Sequence, residues 1–119
     1  MKAVGYNSKG EQIEFEVIGG ILKCSNEDLV SLDIPKGVKT VRCSNNFLTQ
    51  LNIPEGIEEI YCWNNLLTEL NLPESVKTLW CRYNLLTKLE VLKGLEQIYC
   101  DRILKGLDNI DWECEIKLY

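Results

Sequence analysis

The sequence predicts a mainly β solenoid of about five coils, and two observations carry that reading. The stretch Val38 to Gly56 recurs in steps of 19 residues as Ile57 to Ser75 and Val76 to Gly94, with worn copies at Gly19 to Gly37 and from Leu95. Repetition at a fixed period marks a stacked architecture, because one short unit cannot bury its own apolar side. Within each copy the apolar places alternate over short runs, and Pro35, Pro54 and Pro73 close three of them. Between Leu48 and Pro54 there is no length for two helical turns, and proline would break them, so the units are strand-like on both sides.

In chain order, the length of 119 residues suits a single domain: a cap over 1–18, repeats over 19–107 and a second cap over 108–119. Lys2 to Val17 has strand character either side of Asn7-Ser8-Lys9-Gly10, with Ile13, Phe15 and Val17 alternating with charge. That pattern predicts a hairpin. A repeat stack leaves its first coil with an uncovered apolar end, and the hairpin is expected to cover it. In every repeat the run around Val41 and Cys43, or its equivalent, should form one rung of a parallel sheet. Asn46, Asn65 and Asn84 follow where the chain leaves the strand, and their amides can serve backbone groups that the turn would otherwise leave unpaired. The second half of each unit, with Leu51 and Ile53 pointing inward, should be a looser extended segment ending in a Pro-x-Gly or Pro-x-Ser turn. After Cys100 the register frays, with Ile103 in the place of the Asn, and the ladder is expected to end there. Ile110, Trp112, Cys114, Ile116 and Leu118 then alternate with charge, which predicts a terminal strand that caps the last coil, with Trp112 and Cys114 in the core.

The repeat reads L-x-x-L-x-C-x-x-N-x-L-T-x-L-x-I-P, and its first eleven places resemble the leucine-rich repeat, with Cys43, Cys62 and Cys81 standing where the third leucine usually stands. The resemblance covers Gly19 to about Leu107. It implies a right-handed leucine-rich repeat solenoid, with ligands on the parallel sheet of the inner face and extended segments outside. The 19-residue unit is shorter than the family's usual span, which leaves no room for an outer helix.

Six cysteines in a small chain could form a disulfide framework, but five of them fall 19 residues apart at a core place. Stacked equivalents lie ~4.8 Å apart, which fits poorly the ~3.8 Å Cβ separation of a disulfide. The column should be reduced and buried, behaving as small hydrophobes. No metal site is expected, since a column spreads its ligands along a line and the chain has no His. Cys114, outside the register, keeps an open role.

Net charge is -5, from 13 Lys plus Arg against 18 Asp plus Glu, so a general attraction to nucleic acid or anionic membrane is not expected. No apolar run approaches the ~20 residues that span a bilayer, and the start lacks the apolar stretch of a secretion signal, which points to a cytoplasmic protein, of the producing cell or of a host. Enzyme motifs are missing: there is no Gly-rich phosphate loop after a strand, no G-x-S-x-G and no acid pair set apart from the general scatter. No cofactor is implied.

The outward places can be compared coil by coil. On the outer side they read Ser31, Gln50, Glu69, Lys88 and Asp33, Asn52, Asn71, Glu90, an ordinary polar surface. On the sheet the central column reads Lys23, Arg42, Tyr61, Trp80, Tyr99, and its neighbours read Ser25, Ser44, Trp63, Arg82, Asp101 and Asn26, Asn45, Asn64, Tyr83, Arg102. Aromatic and Arg side chains together are the composition of protein-binding hot spots. Arg42, Tyr61, Trp63, Trp80, Arg82, Tyr83, Tyr99 and Arg102 are therefore the candidate partner-binding residues of a non-enzymatic interaction module, in the manner of a small inhibitor or adaptor. The competing readings are cross-strand stacking that only stabilises the sheet, single-stranded nucleic acid stacked on the same rings, and self-assembly.

Overall fold

A computed structural model describes residues 1–90, 93–101 and 115–118. Among them the chain forms nine strands and no helix: β1 (Lys2–Asn7), β2 (Gln12–Glu16), β3 (Ile21–Lys23), β4 (Leu29–Asp33), β5 (Thr40–Arg42), β6 (Glu59–Tyr61), β7 (Thr78–Trp80), β8 (Gln97–Cys100) and β9 (Glu115–Leu118). The alternation around each repeat's cysteine builds the rungs. β3, β5, β6, β7, β8 and β9 lie side by side in one six-stranded sheet, and every pairing in it is parallel. Leu22 faces Val41, Val41 faces Ile60, Ile60 faces Leu79 and Leu79 faces Ile98, so the 19-residue period of the sequence is the register of the sheet. The protein is an all-β solenoid.

Each coil is closed by the residues that repeat. Leu22, Val41, Ile60, Leu79 and Ile98 are fully buried, as are Cys43, Cys62, Cys81 and Cys100 beside them. Leu48, Leu67 and Leu86 fill the turn side, and Leu51, Leu70 and Leu89 the outer side. Each such aliphatic side chain contributes about 1.5 to 3 kcal/mol by leaving water. Ile34, Ile53 and Leu72, expected to point fully inward, are half-buried against the edge of this core. Among the described residues the outer pairing between coils beyond β4 is the isolated bridge between Asp33 and Asn52, so that side lacks the continuous ladder of the sheet. At the turn after Pro54, Gly56 has φ 92°, a conformation that residues with a Cβ rarely adopt.

The asparagine at the end of each rung ties two coils together. Asn46 Nδ2 donates to the carbonyls of Cys24 and Cys43, both at 3.0 Å, and its Oδ1 accepts from the backbone N–H of Glu27 and of Leu29 at 3.0 Å. Asn65 repeats this with the carbonyls of Cys43 and Cys62 and the N–H of Leu48, and Asn84 with those of Cys62 and Cys81 and the N–H of Leu67. These backbone groups have no strand partner at the turn, so the amide replaces water for them.

The N-terminal hairpin forms as the sequence predicts, with β1 antiparallel to β2, and β1 also pairs antiparallel with β4 of the first coil. It therefore extends the outer side of that coil as a three-stranded sheet, with Ile13, Phe15 and Val17 packed against the core. Gly5 faces inward there: a Cβ would stand 2.9 Å from Leu29 Cδ2. At the other end β9 runs parallel to β8, with Ile98 opposite Ile116, a step of 18 residues instead of 19. The expected terminal strand thus continues the sheet in parallel as a sixth strand. Ile103, Ile110, Trp112 and Cys114 lie outside the described residues.

Two tests follow from this packing. Asn65→Ala strands two carbonyls and one N–H inside the turn, and denaturant unfolding should show a loss of about 1 to 3 kcal/mol; a loss below ~0.5 kcal/mol would release the turn from the ladder. The thiols of Cys24, Cys43, Cys62 and Cys81 are free, and they are buried in one column with Cys100. Burial, reinforced by Glu27, pushes Cys24 up to about 12, and burial holds Cys43 and Cys62 well above the usual 9.0. The unfolded chain ionises these thiols near pH 9.0 while the folded chain keeps them protonated. Stability is therefore full below that pH and falls as pH rises from about 9 toward about 12, by up to about 1.4 kcal/mol per thiol for each pH unit. Urea midpoints measured across that window should fall, and fall less steeply in Cys62→Ala.

Candidate functional site

The parallel register turns single residues into a continuous surface. Lys23, Arg42, Tyr61, Trp80 and Tyr99 are direct neighbours on successive strands, so their side chains stand in one row on the solvent face of the sheet. Neighbouring rungs are ~4.8 Å apart, which is the distance at which rings on adjacent strands meet. Trp80 takes three such contacts: Tyr61 edge-on at 5.2 Å, Tyr99 edge-on at 4.4 Å and Trp63 tilted at 5.6 Å. Trp63 also meets Tyr61 at 6.4 Å. Arg42 lies over the open side of Tyr61, its Cζ 4.8 Å from the ring centre, and Arg82 lies over Tyr83 at 4.2 Å.

Seven of the eight candidate residues therefore share one face; Arg102 lies outside the described residues. They are not equally available. Arg42 and Tyr83 are exposed, whereas Tyr61, Trp63, Trp80, Arg82 and Tyr99 are half-buried against one another. Ser44, expected on the open face, is buried with its hydroxyl unpaired. The indole N–H of Trp80 is also buried and has no hydrogen-bond partner. The stacking reading and the binding reading thus divide the residues, with Trp80 the hub of the cluster and the outer rings its accessible margin.

Electrostatics on the face are uneven. Tyr61 donates its hydroxyl to Glu59 at 2.6 Å, and burial together with that carboxylate raises the phenol above its ordinary range. Glu59 also accepts from Thr40 Oγ1, and Asp101 accepts from the backbone N–H of Tyr83 at 3.3 Å. Glu59 and Asp101 are thus both engaged within the protein. Lys23 and Arg42 are exposed, and among the described residues neither has an ion-pair partner; the ion pairs there join Met1 to Glu16 and Lys2 to Glu14.

Sequence reasoning missed a further surface feature. Phe47, Leu66 and Leu85, each just after a ladder asparagine, are 50%, 41% and 57% exposed and form an apolar stripe on the rim where the chain leaves the sheet. The 19-residue spacing of these three apolar residues contained the signal. Neither family models, nor curated proteins, nor solved structures give a significant match to this chain.

Because Trp80 joins three rings, Trp80→Ala should lower stability as well as alter the surface, by about 1 to 3 kcal/mol from lost pair contacts and burial. Thermal unfolding of that variant beside Arg42→Ala, which removes an exposed side chain and should change little, measures the difference.

Proposed function

We propose that this protein is a non-enzymatic, leucine-rich-repeat-type interaction module that binds a protein partner through the aromatic and arginine face of its sheet, as a small inhibitor or adaptor of the cytoplasm. The observation that carries this reading is the segregation of residues. Tyr61, Trp63, Trp80, Tyr83 and Tyr99 all lie on one side of a solenoid whose opposite side carries Gln50, Glu69, Lys88, Asn52, Asn71 and Glu90. Stabilising a sheet needs pairs of rings and does not require that arginines flank them; a large, rigid contact area edged by bidentate donors suits recognition. Mutual packing of the rings supports it too, because a surface held in place before binding loses less entropy on association.

The test begins with affinity capture on immobilised protein, using a Tyr61→Ala, Trp63→Ala double variant as the negative reference, followed by calorimetry on the partner identified. Loss of ~2 kcal/mol or more of binding in that variant supports the face, with Glu69→Ala, Asn71→Ala on the outer side expected to bind as wild type does. Equal loss from both pairs would remove the sheet face as the site.

A further inference from the structure

Four residues of successive coils occupy the place just before the ladder asparagine, or its counterpart Glu27, with left-handed backbone: Asn26, Asn45, Asn64 and Tyr83, at φ 59°, 58°, 56° and 59°. Asparagine tolerates that conformation better than other residues with a Cβ, and here the amides also join neighbouring coils, as Asn64 Nδ2 donates to Asn45 Oδ1 of the preceding coil at 2.7 Å. A tyrosine gains nothing comparable and is strained there. Its N–H also departs from the pattern. Asn26, Asn45 and Asn64 each donate to the backbone carbonyl of the next coil, whereas Tyr83 donates to the Asp101 side chain. The fold would be served better by a fourth asparagine, yet the ring stands 57% exposed with the Arg82 guanidinium over it. Two residues further on is Leu85, the last described member of the apolar stripe that includes Phe47 and Leu66. That stripe is not a loose loop. Phe47, Leu66 and Leu85 each donate a backbone hydrogen bond to the preceding coil, at 2.7, 2.8 and 2.9 Å, so the exposed side chains are held in line.

We infer that the binding surface does not end at the sheet but turns over the rim through Tyr83, Leu85 and Leu66, and that its occupant is an acidic segment of a partner protein carrying aromatic or branched apolar residues. The inference rests on the proposed sheet face and extends it. Apolar partner residues suit the stripe and the ring margin. Partner carboxylates suit Lys23 and Arg42, which have no ion-pair partner among the described residues, while Glu59 and Asp101 bond within the protein. A nucleic-acid strand fits less well, since it would set phosphates beside the exposed apolar side chains of Leu66 and Leu85.

The experiment selects peptides from a phage-displayed random library on the intact protein and measures binding of the synthesised consensus peptide to variants. Enriched sequences should combine Asp or Glu with Trp, Phe, Leu or Ile. Tyr83→Asn, which restores the residue of the other coils, should weaken the peptide at least tenfold while its unfolding temperature stays level or rises. Leu66→Ser with Leu85→Ser should also weaken it, and Lys23→Ala with Arg42→Ala should remove the preference for acidic peptides. If Tyr83→Asn binds normally while Trp63→Ala does not, the rim is excluded and the sheet face stands; if neither loses binding, both readings fail. A fall in unfolding temperature with Tyr83→Asn would make the residue structural. Failure to enrich any peptide, enrichment of peptides without carboxylates, or tighter binding of a labelled oligothymidylate would overturn the acidic partner.

Discussion

Everything in this structure depends on coils stacking with equivalent residues opposite one another. A three-residue strand such as β5 or β6 is too short to hold itself in a sheet, and it persists because its neighbours above and below satisfy the same backbone groups in the same register. Turns are the weak point of such a stack, since the ladder of strand hydrogen bonds stops where the chain bends. The amides of Asn46, Asn65 and Asn84 carry the pairing around the corner, each bonding carbonyls from two coils. That requirement explains why these places do not vary across the clear repeats while the residue before them does.

The same stacking makes the surface. In a parallel register an outward residue has its counterpart directly beside it, so a change at one place of the repeat becomes a row on the face. From Lys23 and Arg42 through Tyr61, Trp80 and Tyr99, the central row passes from cations to rings, and the rings meet because strand spacing matches their contact distance. The cluster is thus both part of the sheet's stability and a rigid platform. Trp80 belongs more to the first role and Arg42 and Tyr83 more to the second, because the hub is enclosed by its neighbours and the margins are not.

Strain and exposure mark places where the demands of the fold have been set aside. Tyr83 takes a backbone conformation that asparagine takes in three other coils, and Leu66 and Leu85 hold apolar side chains in water on hydrogen-bonded backbone. Neither feature improves packing. Both occur on the rim that borders the aromatic row, where sheet and turn surfaces meet.

The sequence by itself determined the architecture: the constant 19-residue step, the cysteine column and the closing prolines specify stacked coils, a parallel sheet and its register, because a repeated pattern of burial has few other ways to close. The rows of the candidate face were legible for the same reason, as was the strand hairpin at the N-terminus. What only the tertiary structure decided is how far each residue is exposed and how the ends are joined. Periodicity gives a side chain's direction but not its neighbours, so the burial of Ser44, the enclosure of Trp80 and the half-burial of Ile53 depend on what packs beside them. The pairing of β1 with β4 and the 18-residue step to β9 fall outside the repeat, where no period constrains the chain. The left-handed turn at Tyr83 was hidden for a related reason: backbone conformation there is imposed by the stack, against the preference of the residue it holds.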